Sequence, residues 1–122
     1  MLTTPVVGQV NVECFDGFSG NCSQFITAFC TSIGTNFINL QDSTARCFNA
    51  GGSLKCDFTA WAEIASAEGA LPNPTNCGTV LTAVSETCPM GGQGMQPNAN
   101  FVYNVDPNEG ICSSNIVLDN ED

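Results

Sequence analysis

The sequence predicts a disulfide-stapled α+β fold in which two amphipathic helices cover an antiparallel sheet of about five strands. Three observations carry that expectation. Two segments place apolar residues at helical spacing on one side only, so each needs a sheet to cover. Around them lie alternating stretches punctuated by Gly, Pro, Asn and Asp, the pattern of half-buried strands. Eight cysteines (Cys14, Cys22, Cys30, Cys47, Cys56, Cys77, Cys88 and Cys112) form an even, widely spaced set with no C-x-x-C pair. That set reads as a disulfide framework, not as a zinc knuckle or a redox site. A length of 122 residues leaves room for one core, so residues 1–122 are expected to form a single domain.

Residues 9–15 place Val10, Val12 and Cys14 on one face of a short strand. Ser19 or Asn21 can cap the first helix. Its stripe is Cys22, Phe25, Ile26, Phe29, Cys30 and Ile33, with Gly34 following as the C′ residue. The opposite face carries Ser23, Gln24, Thr27 and Ser32, polar but uncharged. Residues 36–40 alternate weakly as a strand, and Gln41-Asp42-Ser43 is a turn. Ala50-Gly51-Gly52-Ser53 reads as a tight hairpin between strands 45–49 and 54–58, with Gly51-Gly52 supplying positive φ. In that register Cys47 faces Cys56 at a non-hydrogen-bonded position, so a Cys47–Cys56 cross-strand disulfide is expected. A Cys22–Cys30 bridge is not, because on one helix the two would stand ~12 Å apart.

The second hairpin strand runs on to about Trp61. Asp57, Thr59, Trp61 and Glu63 alternate there with Cys56, Phe58, Ala60, Ala62 and Ile64. A short helix over residues 59–68 competes with this reading, since alanine is plentiful there. Residues 69–72 form a loop. Asn73 as N-cap and Pro74 at the first helical position open the second helix. Its stripe is Cys77, Val80, Leu81, Val84 and Cys88, and Pro89 ends it. Gly91-Gly92-Gln93-Gly94 reads as a polar loop. Phe101, Tyr103 and Val105 alternate in a strand, residues 106–110 turn around Pro107, and a last strand starts near Ile111 and extends through Ile116-Val117-Leu118.

Composition excludes much. Twelve acidic residues stand against Lys55 and Arg46, a net charge of -10, and histidine is absent. Such a chain cannot neutralise a phosphate backbone, so nucleic acid is not an expected partner. Anionic membrane surfaces repel it, and no apolar run approaches the ~20 residues of a membrane span. Without His there is no Ser-His-Asp triad and no His-ligated zinc. No cofactor is expected. The acids are dispersed with no D-x-D-x-D-G run, so no calcium site is expected either. Disulfides imply an oxidising compartment, hence a secreted, extracellular protein. Residues 1–8 lack a basic n-region and a long apolar h-region, which suggests a mature form with Met1 as an addition. Asn21-Cys22-Ser23 matches a glycosylation sequon in form, with its middle residue a cross-linked cysteine.

A set of segments carries a family likeness. They are the run from Cys14-Phe15-Asp16-Gly17 to Asn21-Cys22, Arg46-Cys47-Phe48-Asn49, Cys56-Asp57-Phe58-Thr59-Ala60, Asn76-Cys77, Cys88-Pro89-Met90-Gly91-Gly92, and the close from Val105-Asp106-Pro107 to Ile111-Cys112. Together they resemble the small secreted cysteine-rich glycan-binding proteins of mushrooms, the family typified by the ink-cap glycan-binding protein. The likeness covers residues 14 to 112 and rests on the ordered cysteines with their neighbours. The resemblance implies a secreted fungal lectin with an α/β/α-type sandwich, a homodimer joined across a sheet edge, and recognition of a fucosylated, N-acetylgalactosamine-containing glycan.

Sugars present an apolar C–H face and a rim of hydroxyls, so a site needs a flat ring beside amides or carboxylates. Trp61 with Asp57 and Glu63 is the first candidate, provided that their face of the strand is open. Tyr103 is the second ring. Gln93 and Asn100, with Gln96 and Asn98 near them, supply amides. A neutral glycan suits the acidic chain, because sulfated or sialylated ones would be repelled. Two rival functions remain at this stage. One is a small glycosidase using paired carboxylates such as Asp57 and Glu63. The other is a secreted inhibitor or effector acting through loop 91–97.

Overall fold

The computed structural model describes residues 10–63, 69–97 and 99–113. Its elements are β1 (Asn11–Cys14), α1 (Ile26–Ile33) after a 3-10 turn at Ser23–Phe25, β2 (Ser43–Gly51), β3 (Leu54–Ala62), α2 (Pro74–Thr87), β4 (Gly92–Met95) and β5 (Phe101–Glu109). The five strands form one antiparallel sheet in the order β1-β4-β5-β3-β2. The predicted α+β architecture, with its antiparallel sheet and two helices, is the one observed.

Residues directly opposite in a ladder share a face. On the inner face Cys56, Phe58 and Ala60 of β3 stand opposite Pro107, Val105 and Tyr103 of β5. The helices pack on this face. Phe29 of α1 stacks on Phe58 with ring centroids 5.0 Å apart, and Phe25 stacks on Phe48 at 5.0 Å. Val80 and Val84 of α2 close over Gly94 of β4. The buried helical residues are those of the two sequence stripes, Ile26, Phe29, Cys30 and Ile33, then Cys77, Val80, Leu81 and Val84. Asn73 caps α2 as expected, its Oδ1 accepting from the Asn76 N–H at 3.0 Å, with Pro74 in the first turn.

Four disulfides staple the layers: Cys14–Cys88, Cys22–Cys56, Cys30–Cys77 and Cys47–Cys112. The expected Cys47–Cys56 bridge is therefore corrected. The hairpin pairs Gly51 with Leu54, Asn49 with Lys55 and Cys47 with Asp57, with a register shift between Asn49 and Gly51. That shift leaves Ala50 over as a bulge. A one-residue slip turns every later side chain to the other face. Cys56 thus points inward to Cys22, and Cys47 points outward to Cys112.

Several local expectations also change. Residues 36–40 contribute one bridge, Ile38 to Ala70, and not a strand. Gly34 has φ -65, a right-handed value, so no left-handed cap requires it. It is glycine because a Cβ there would lie 2.9 Å from Pro74 Cγ. The strand reading of residues 59–62 is the one observed, while residues 64–68 lie outside the described set. The glycine run 91–94 is mostly strand β4. Gly92 and Gly94 are small so that β1 and α2 can approach. Residues 106–109 continue β5, Pro107 included. β4 stops at Gly92 opposite Val105. Past that point β5 borders only β3, and a sheet edge tolerates proline. Ile111 lies outside any strand, and residues 116–118 are outside the described set.

Gly92 gives a direct test of this packing. A Cβ at Gly92 would meet the Glu13 carbonyl oxygen at 2.5 Å and Cys88 Sγ at 3.0 Å. Neither atom is the free end of a flexible side chain. Gly92→Ala is expected to cost about 1–3 kcal/mol, read as a lowered thermal midpoint. An unchanged midpoint would mean that β1 and β4 do not approach this closely.

Candidate functional site

The outer face of the sheet is where alternation sends the polar residues. Lys55, Asp57, Thr59 and Trp61 of β3 stand opposite Asn108, Asp106, Asn104 and Val102 of β5. Gln93 of β4 pairs with Asn104 on one side and with Glu13 of β1 on the other. Trp61 is 44% exposed although it sits in a strand whose inner residues are fully buried. Beyond the strand end, Glu63 continues the face and joins Gln93, Met95 and Val102 around a shallow hollow. The Glu63 N–H donates to the Asn100 carbonyl at 3.0 Å, which anchors that end.

Within this face two neighbourhoods differ. Along a strand two residues span ~6.8 Å, so Thr59 and Glu63 flank Trp61 while Asp57 lies ~13 Å away. Asp57 belongs with Asp106, directly opposite it, and with Asn108, whose Nδ2 donates to Asp57 Oδ2 at 2.7 Å. Lys55 Nζ lies 4.0 Å from the same oxygen. At Gln93, Nε2 donates to Glu13 Oε1 at 3.2 Å. Asn104 stands between Thr59 and Gln93, diagonal to Trp61. Its Oδ1 is buried and has no hydrogen-bond donor among the described residues.

Tyr103 and Asn100 do not join Trp61. Tyr103 points to the inner face, is 3% exposed and packs against Phe101 at 5.9 Å. Its ring belongs to the core, as alternation with Phe101 and Val105 dictates. Asn100 and Gln96 line a cleft on that same helix-covered side. The sheet separates the two groups. Asn98 lies outside the described residues. Among the described residues no three Asp, Glu or Cys side chains cluster as ligands for a metal ion, and no helix is long and apolar enough to cross a membrane.

Burial raises the Tyr103 phenol pKa above its ordinary value of 10.0. A raised folded value contributes stability that is complete below the unfolded pKa and is lost as pH climbs towards the folded one. Tyr103 is the only tyrosine, so absorbance at 295 nm reports it alone. No phenolate is expected at pH 10 while the fold persists. A reversible midpoint near 10 in the folded protein would contradict this burial.

The family model for glycan binding domain Y3 matches residues 21–112. The chain belongs to this glycan-binding family. The antiviral protein CAP of Coprinus comatus is 37% identical to it over 95 residues, which are 77% of this chain and 93% of that relative. Family membership agrees with the mushroom glycan-binding likeness carried by the ordered cysteines.

For a glycan-binding domain, the outer face has suitable chemistry. It joins an exposed indole to carboxylates, amides and a threonine, on a rigid sheet held from behind by the core. A catalytic carboxyl pair needs a cleft that desolvates one acid. Asp57 and Asp106 stand instead on a sheet face that no described helix covers, with the Asp57 side chain 38% exposed. Sequence reasoning missed Asn104, Asn108 and Glu13. The alternation of Asn104, Asp106 and Asn108 with Tyr103, Val105 and Pro107 was the available signal, masked by reading Pro107 as a turn.

Proposed function

We propose that the chain is a secreted fungal lectin that holds neutral glycans on the outer face of its sheet, around Trp61, without transforming them. The observation that carries this reading is the half-exposed indole of Trp61 on a sheet face where Val102 stands opposite it and polar residues surround the pair. A pyranose lays its C–H face on such a ring and spends its hydroxyls on the polar rim. Thr59 and Glu63 are the nearest partners. Gln93 and Asn104 come next, and Asp57 meets a more distant sugar of the same chain.

Among the described residues four acids, Glu13, Asp57, Glu63 and Asp106, share the face with one cation, Lys55. Repulsion favours neutral glycans over sulfated or sialylated ones. The family likeness adds the finer expectation of a fucosylated, N-acetylgalactosamine-containing ligand. Secretion fits four disulfides. Capture of glycans on a foreign surface is in keeping with the antiviral name of the relative. The open edge of β2, nine residues long, supports a homodimer formed by strand pairing across that edge. Residues 1–122 act as one such domain in this reading.

A glycan array tests the reading. One neutral determinant standing above background supports it. A blank array overturns it, and turnover of a chromogenic glycoside would replace it with a hydrolase.

A further inference from the structure

On the helix-covered side of the sheet, where α2 and β5 both begin, Asn73, Asn76, Gln96 and Asn100 converge on a cleft of about 210 Å³. Tyr103 also lines it, and Leu71, 54% exposed, stands at its side. We propose that this cleft is a second carbohydrate subsite that takes one uncharged pyranose ring, so that a single chain is bivalent. The proposal rests on the glycan-binding reading, but not on the Trp61 face, which lies on the other side of the sheet.

The lining decides the ligand class. Among the described residues none that lines the cleft carries a charge, so neither an anion nor a cation finds a counter-ion among them. The helix end adds no anion site, because the Asn76 N–H already donates to Asn73 Oδ1 at 3.0 Å. What remains is carboxamide chemistry. Each carboxamide both donates and accepts, which is what a hydroxyl requires of its partner. Leu71, with Val80 and Phe101 behind it, supplies apolar surface for ring C–H groups. Sites for drug-sized ligands run to ~300–1,000 Å³. This cleft is smaller, and it holds one ring and not an oligosaccharide.

Two glycan contacts on opposite sides of one sheet would let one chain bridge two glycans without a dimer. The gain is avidity, set by geometry and not by new contacts. Side-chain amide signals of the ¹⁵N-labelled protein read the cleft directly. The probes are methyl glycosides of neutral hexoses, 6-deoxyhexoses and N-acetylhexosamines. At least one is expected to shift the Asn76, Gln96 and Asn100 NH₂ signals saturably. Those shifts should persist in Trp61→Ala and vanish in a Gln96→Ala/Asn100→Ala variant whose backbone spectrum is otherwise native. Shifts at the Trp61 indole alone would overturn the second subsite and leave the lectin reading standing. Silence at both places, with a blank array, would overturn the lectin reading itself.

Discussion

Trp61→Ala is expected to weaken glycan binding by roughly 30-fold or more, the loss that goes with ~2 kcal/mol at an aromatic hot spot. The reason is geometric. Trp61 is the chain's only tryptophan, and no other strand residue of the outer face offers an exposed flat ring. Its neighbours Thr59 and Glu63 supply hydrogen bonds, which water supplies almost as well, so their individual losses should be smaller. Trp61→Phe keeps a stacking surface and should retain part of the affinity. The indole is half covered by its surroundings, so the alanine variant also loses roughly 1–2 kcal/mol of burial. Affinity is therefore measured well below the thermal midpoint, where both proteins are folded. The sole indole also reports binding through its own fluorescence. Because the ligand is expected to be neutral, affinity should change little between low and physiological salt. Equal affinity of wild type and Trp61→Ala would remove the outer face from the binding site.

The second large effect concerns stability. Removing the Cys30–Cys77 bridge by a Cys30→Ala/Cys77→Ala double substitution is expected to cost about 4 kcal/mol. That figure is the chain-entropy value for a closed loop of this size, the two cysteines being 47 residues apart. Against a typical total of ~5–15 kcal/mol it is a large share. For a chain of this length it lowers the thermal midpoint by roughly 15 °C. The bridge joins α1 to α2, and both cysteines are buried, at 2% and 0% exposure. Replacing both avoids a lone buried thiol that could exchange with the other three disulfides. Calorimetry of the double variant decides the matter. A drop of only a degree or two would mean that the two helices are held by packing and that the bridge adds little.

How much of this was legible in the sequence varies by element. The helices were, because their stripes follow one period and their caps are local: Asn73, three residues before Asn76, finds the N–H that it accepts from without any tertiary partner. The inner face of β3 was legible for the same reason, since strict alternation of Cys56, Phe58, Ala60 and Ala62 admits one buried side. β4 was not legible. Gly92 and Gly94 have no side chain to alternate, and their smallness is required by Glu13, Val80 and Val84, residues distant in sequence. Nor was the end of β5, where Pro107 looks like a turn until β4 is seen to stop beside Val105.

The candidate site divides along the same line. That Trp61, Asp57 and Glu63 share one face follows from parity alone, and so does the separation of Tyr103 from them once β5 is paired in register with β3. Whether the Trp61 face was open or covered by a helix could not be read locally. Both helices needed a sheet, and either side would have satisfied their stripes. The inner residues Phe29 and Phe58 decided it by packing on one side, and no described helix covers the other. Asn104 became a candidate only when Thr59 and Gln93 closed in on either side of it.

Composition and short periods establish the class of molecule: acidic, histidine-free, cross-linked by an even set of cysteines, with two helices and a strand side of Asp57, Thr59 and Glu63 that holds the only indole. These follow from composition and from periods of a few residues. The tertiary structure alone decided which cysteines join, where the fourth strand lies, and that the carboxamides of helix and strand meet in one cleft. Each of those depends on register and on approach between residues far apart in the chain. A turn set one residue later than expected, with one bulge at Ala50, was enough to part Cys47 from Cys56 and give each another partner.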